Sequence, residues 1–159
     1  MIELQLLLLI IIANGAALLS EPLLKKHWDH PVDGGLLLSD GQPLFGHHTT
    51  WRGIALASIA TPMAAWLVGL PLWTGLVIAL LAMSGDMLSS FIKRRLQREP
   101  GRMALGLDQI PEALLPLLGV YPAYGLTLID LLWIPLAFLV FELLISRLLF
   151  RLHLRRRPY

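Results

Sequence analysis

An all-α, polytopic membrane protein with about five transmembrane helices and two polar loops on one side is the fold class this sequence predicts. Three observations predict it. Of 159 residues, 56% are hydrophobic and only 15% are charged, which is too little polar surface for a water-facing globule. The apolar residues lie in long blocks rather than short periodic stripes, and blocks of that length match the span of a bilayer. Lys and Arg recur in alternate gaps between the blocks, the distribution that positive-inside sorting produces.

The first block, residues 2–19, is nearly continuous Leu and Ile, about the length a helix needs to cross the hydrocarbon. It carries Glu3 but no basic residue ahead of the apolar run, so it lacks the n-region of a secretory signal and is expected to be retained. Residues 20–52 turn polar, with Glu21, Lys25, Lys26, Asp29, Asp33 and Asp40 among prolines and glycines. Spans at 53–69 and 72–92 follow, separated by a tight turn at Gly69 and Pro71. A second polar loop, 93–109, carries Lys93, Arg94, Arg95, Arg98 and Arg102. Spans at 110–129 and 131–150 meet near Asp130, and the chain ends in Arg155, Arg156 and Arg157. The fourth span contains Pro111, Pro116 and Pro122, with Glu112 at its entrance, and is expected to be short or broken.

The whole reads as one integral membrane domain. Both polar loops and the C-terminus are expected on the cytoplasmic side of the cell's inner membrane, with the N-terminus outside. A net charge of +2, with its basic residues beside apolar segments, gives no argument for nucleic acid. The absence of cysteine excludes disulfides, thiolate catalysis and thiolate metal ligation, so a metal here must use oxygen or imidazole. Oligomeric state is not readable from the chain.

Asp86 stands inside an apolar span, where an ionisable residue marks a candidate functional site. On a helix, Asp86, Ser90 and Lys93 recur at i, i+4 and i+7 and share a face. A carboxylate near Lys93 and Arg94 suits Mg²⁺ bound to phosphate, since that ion prefers one or two carboxylates plus phosphate oxygens. The structural alternative is an ion pair that fixes helix packing. In the first loop, Asp33-Gly34-Gly35, Asp40-Gly41 and the run Gly46-His47-His48-Thr49-Thr50-Trp51-Arg52-Gly53 offer backbone N–H groups, a hydroxyl and an arginine at a helix start. That is a phosphate cradle, or a pair of Asp-Gly turns with an interfacial Trp and Arg anchor. His47 and His48 are adjacent and would point apart on a helix or strand, so no zinc site is expected. Asp108 either joins Asp86 on Mg²⁺ or caps the fourth helix.

As an ordered set, these motifs resemble the CDP-archaeol synthase family, relatives of the phosphatidate cytidylyltransferases. The resemblance rests on Pro31 to Gly35 with Asp40-Gly41, Gly46, Thr50-Trp51-Arg52-Gly53, then Gly85-Asp86, Ser90-Phe91, Lys93-Arg94-Arg95 and Asp108-Gln109. It covers most of the chain. One position departs: relatives usually place Lys before the Thr-Trp-Arg-Gly run, where this sequence has Thr49. The resemblance implies Mg²⁺-dependent transfer of a cytidylyl group from CTP to a membrane lipid phosphate, archaeol-phosphate-like or phosphatidate-like. It implies Asp86 and Asp108 at the metal, and Arg52, Lys93 and Arg94 on phosphate. Asp33, Gly34, Gly35, Thr50, Trp51 and Ser90 would lie on the substrate. A CDP-alcohol phosphotransferase would need an Ala-Arg continuation after Asp-Gly that neither Asp33-Gly34 nor Asp40-Gly41 shows. The competing reading from another class is a non-catalytic lipid-binding or assembly protein.

Overall fold

Long Leu- and Ile-rich runs leave the backbone no option in an apolar solvent except the internal hydrogen bonding of a helix, and the described residues form five. The computed structural model describes residues 1–24, 28–98 and 104–151. The basic residues Lys25, Lys26, Arg102 and Arg155 to Arg157, read above as topology signals, lie outside the described residues. The helices are α1 (Ile2–Leu24), α2 (Trp51–Leu67), α3 (Leu72–Arg95), α4 (Gln109–Tyr124) and α5 (Asp130–Arg151). Three of them, α1, α3 and α5, are long and apolar enough to cross a bilayer; α2 and α4 have 17 and 16 residues.

The boundaries depart from the hydropathy pattern where local chemistry overrules it. Helix α1 runs on past Leu19 to Leu24 and α3 past Ile92 to Arg95, because a polar side chain ends an apolar run without ending backbone hydrogen bonding. Helix α4 stops at Tyr124, five residues short of the expected 129, where Gly125 adopts a left-handed conformation (φ 58°, ψ 38°) that terminates the turn. It is short but unbroken, continuing through Pro116 and Pro122. The next helix starts with a reciprocal cap. Asp130 accepts from the Thr127 N–H at 2.7 Å and the Thr127 hydroxyl accepts from the Asp130 N–H at 3.3 Å.

Helix α3 is central and packs against α1, α2 and α4, while α5 closes the bundle against α4 and α1. One core cluster joins Leu6, Leu9 and Ile10 of α1 to Ile78 of α3, Leu117 and Val120 of α4, and Ile134 and Phe138 of α5. A second is built from small residues, Ala13, Ala57, Ala79 and Ala82, and lets α1, α2 and α3 approach closely. Large apolar side chains such as Leu4, Leu8, Ile59, Trp66, Leu80, Leu132 and Leu136 face outward, as a hydrocarbon solvent permits.

At one end of the bundle Gln5 donates to the Val68 carbonyl at 2.8 Å, and the Thr74 and Tyr124 hydroxyls meet at 2.5 Å. Both polar loops therefore lie at the other end. Gly85 sets how α3 and α4 meet there. A Cβ at this position would stand 2.5 Å from the Pro111 carbonyl oxygen and 2.7 Å from the Glu112 Cα. Gly85→Val is expected to force the two backbones apart and cost about 1–3 kcal/mol, read as a lower unfolding temperature in detergent.

Candidate functional site

The first loop folds onto the C-terminal end of α3 through its own acidic residues. Asp33 Oδ2 accepts from the N–H groups of Phe45 and Gly46, each at 2.9 Å, and Oδ1 from Gly35 at 3.0 Å. Asp40 Oδ1 accepts from the Gln42 N–H at 3.1 Å within the turn it shares with Gly41. Its Oδ2 pairs with Arg95 at 2.6 Å. Arg95 also donates to the Pro43 carbonyl at 2.6 Å and lies over the Phe91 ring. A short antiparallel pairing of Pro31 with Thr50 closes the loop where α2 begins.

Thr50 is the N-cap of α2, its hydroxyl accepting from the Gly53 N–H at 3.4 Å. Neighbouring Thr49 turns inward and donates to Asp86 Oδ2 at 3.3 Å. Thr49, expected above to stand where relatives carry Lys, is therefore the residue of this loop that touches the Asp86 carboxylate.

Asp86, Ser90 and Lys93 lie on the inward side of α3 as the helical spacing predicts. Ser90 and Lys93 are buried and Asp86 half-buried. Lys93 Nζ pairs with Asp108 Oδ1 at 2.8 Å, and Asp108 Oδ2 accepts from the Ala104 N–H at 2.8 Å. Asp108 occupies the N-cap position of α4 but makes no side-chain capping bond; it reaches back to the second loop and to α3 instead. Asp86, Asp108 and Lys93 lie within electrostatic reach of one another. Arg94 is also buried, its Cδ against Gly46, whose left-handed backbone (φ 99°) brings the loop over it. Arg52 is buried at the start of α2 and pairs with Asp29 at 3.0 Å.

The remaining sequence candidates take other positions. Gly34 and Gly35 hold left-handed turn conformations at the exposed edge of the loop, and Trp51 is exposed. Among the described residues, none of the three makes a hydrogen bond to the Asp86 cluster. The His47 and His48 rings lie 4.1 Å apart at the loop surface, and no group of three or more His, Asp or Glu positioned for a metal occurs among the described residues. Sequence reasoning missed two contributors. Arg95, read as a topology charge, fastens the loop. Glu112, noted only as a polar intrusion, is buried in α4 within electrostatic reach of Asp86, Asp108 and Lys93; its i+4 spacing from Asp108 was the available signal.

A family model described as CarS-like, CDP-archaeol synthase, matches residues 71–159. The chain belongs to the CDP-archaeol synthase family. The CDP-archaeol synthase of Hyperthermus butylicus is 38% identical over 128 residues, spanning 72% of this chain and 73% of that protein. That of Pyrobaculum arsenaticum is 37% identical over 112 residues, spanning 67% of this chain and 66% of that protein. A solved structure described as an intramembrane enzyme for archaeal membrane lipids biosynthesis has a TM-score of 0.74 at 34% identity, covering 89% of this chain and 90% of its own. With α1, α3 and α5 long and apolar enough to span, this member of the CDP-archaeol synthase family is an integral membrane protein.

The loop's attachment gives a pH signature. Burial raises the Asp33 pKa, but the N–H groups of Gly46, Phe45 and Gly35 outweigh it and hold the carboxyl below its ordinary value. The stabilisation is therefore present above the ordinary carboxylate pKa and is lost as pH falls through the lower folded value. Resistance of the loop to limited proteolysis is expected to hold from neutral pH down to about pH 4 and to decline below it. Asp33→Ala is expected to leave the loop sensitive at every pH.

Proposed function

We propose that this protein transfers a cytidylyl group from CTP to a membrane lipid phosphate in a Mg²⁺-dependent reaction, giving a CDP-lipid and pyrophosphate. The observation that carries the reading is Asp86, an intramembrane carboxylate beside the Lys93–Asp108 pair under a loop fastened to the same helix end, in a chain of the CDP-archaeol synthase family. The chemistry matches this constellation. An oxygen of the lipid phosphate attacks the α-phosphorus of CTP, the bond to the bridging oxygen breaks, and pyrophosphate leaves with the electron pair. The attacking phosphate is already largely ionised near neutral pH, so the site needs no protein nucleophile. Its work is alignment of two anions and neutralisation of charge on the leaving group.

The donor set fits a hard divalent cation. The chain has no thiolate, and Asp86 carries a single hydroxyl partner, so its carboxylate is open to an oxygen-preferring ion. Asp108 holds Lys93 and the Ala104 N–H and would exchange Lys93 for the ion on ligation. Bound there, Mg²⁺ would supply Lewis-acid charge neutralisation on the phosphates. Lys93 and Arg94, buried at the same end, bring positive charge to a phosphate, with Arg52 at the α2 start. Asp33, Gly34, Gly35, Thr50, Trp51 and Ser90 are assigned to the substrates through the family pattern.

All five helices would cross the membrane, with the N-terminus outside. The basic residues Lys93, Arg94, Arg95 and Arg98 support a cytoplasmic position for the loop end of the bundle. CTP arrives there from water, and the lipid enters laterally between helices. The experiment is pyrophosphate release from CTP by detergent-purified protein, with Mg²⁺ or EDTA, across ester- and ether-linked lipid phosphates. Mg²⁺-dependent CDP-lipid formation is the expected result and identifies the acceptor. Absence of turnover by folded protein with every lipid would overturn the proposal.

A further inference from the structure

Glu112 lies outside the motifs quoted above for the family resemblance, yet the fold carries it to the same end of the bundle as Asp86. Its backbone lies against α3 at Gly85, the neighbour of Asp86, and only the missing side chain of that glycine permits the approach. Glu112 is buried, with a residue exposure of 7%. Among the described residues it has no hydrogen-bond or ion-pair partner. Each neighbouring charge is otherwise engaged: Lys93 pairs with Asp108, and Asp86 has the Thr49 hydroxyl. Glu142 of α5 is a further carboxylate within electrostatic reach of Glu112. Two carboxylates, Asp86 and Glu112, thus share the interior, and Lys93, the cation within electrostatic reach of both, is already paired with Asp108. A carboxylate removed from water is strongly unfavourable without a compensating charge.

A second observation, three residues earlier on α4, is a buried donor without an acceptor. One turn before Glu112, the Gln109 side chain is fully buried; its oxygen accepts from the Gly106 N–H at 2.8 Å, while its amide nitrogen has no acceptor. A buried donor and buried carboxylates at one helix end are groups that a metal-bound phosphate would satisfy together, offering oxygens to the donor and positive charge to the carboxylates.

We propose that Glu112 acts with Asp86 as a ligand of the divalent cation that carries the CTP triphosphate, with the Gln109 amide donating to a phosphate oxygen. The assignment rests on the cytidylyltransferase reading and adds the residue that completes its metal site.

The test is Mn²⁺ binding to the detergent-purified full chain, followed by electron paramagnetic resonance with and without CTP. Glu112→Gln, Glu112→Asp, Asp86→Asn and, as a control at an exposed site on α1, Glu21→Gln are compared with the parent. Expected results are a loss of about tenfold or more in Mn²⁺ affinity for Glu112→Gln, a smaller loss for Glu112→Asp, and no change for Glu21→Gln. Parent-like Mn²⁺ affinity in Glu112→Gln, with affinity lost in Asp86→Asn, would assign Glu112 to packing and overturn the proposal. Should Glu112→Gln not fold, parent-like affinity in Glu112→Asp would do the same. CDP-lipid formation by the parent, assayed in parallel, separates the two readings. Turnover by the parent with metal affinity unaffected at Glu112 removes only this assignment, whereas a parent with neither turnover nor Mn²⁺ binding removes both.

Discussion

Asp86→Asn is expected to lower the rate of CDP-lipid formation by roughly 10²–10³-fold, the scale on which loss of one electrostatic stabiliser acts in a water-poor site. The substitution is nearly isosteric and keeps an oxygen for the Thr49 hydroxyl at 3.3 Å, so helix packing and loop position should be retained. What it removes is the negative charge that would hold Mg²⁺ against the triphosphate. The measurement is initial rate at saturating lipid phosphate over a range of Mg²⁺ concentrations, with circular dichroism to confirm the helices. Partial recovery at high Mg²⁺ would identify the loss as one of metal affinity. An unchanged rate would remove Asp86 from the reaction.

Lys93→Met is expected to produce the largest loss of stability, about 3–5 kcal/mol. Lys93 and Asp108 meet at 2.8 Å with side chains only 11% exposed. Removing the ammonium leaves a buried carboxylate without its counter-charge, and that uncompensated charge outweighs the gain from a more apolar side chain. The double variant Lys93→Met with Asp108→Leu should recover much of the loss, because an apolar pair of similar volume leaves no charge to solvate. Thermal unfolding of the four proteins in one detergent gives the coupling. Activity should fail in both variants that lack Lys93, since the double substitution restores packing and not the positive charge that a phosphate requires. An additive result in stability would mean that the pair contributes nothing as a pair.

Much of the site was legible in the chain because the relevant signals are local. An acidic residue in an apolar block is costly, so Asp86 stood out. The helical period placed Ser90 and Lys93 beside it, and both are buried on the inward side of α3. Of the two readings left open for the Asp-Gly pairs, the fold shows the turns, and Thr50 and Arg52 fall at the start of α2 as their sequence context suggested. The partners of these residues were not legible. Arg95 looked like another member of a basic run until its contacts with Asp40 and Pro43 appeared, 55 and 52 residues away. Asp33 is expected on the substrate side, and the fold adds what no motif shows: its carboxylate organises the loop by accepting three backbone N–H groups, two of them from residues 12 and 13 positions later. The motif marked the residue without revealing which atoms it serves.

Hydropathy and charge order by themselves determined that the chain is a helical membrane protein with two loops at one end, because apolar solvent forces backbone hydrogen bonds inward and basic residues resist transfer across it. Helix ends were decided by local backbone geometry, as at Gly125, and the composition of the charged site by tertiary contact alone. Only the packing of α4 on Gly85 brings Glu112 to Asp86 and Asp108 to Lys93. Such distances depend on how two helix surfaces fit, a property that no single stretch of sequence contains.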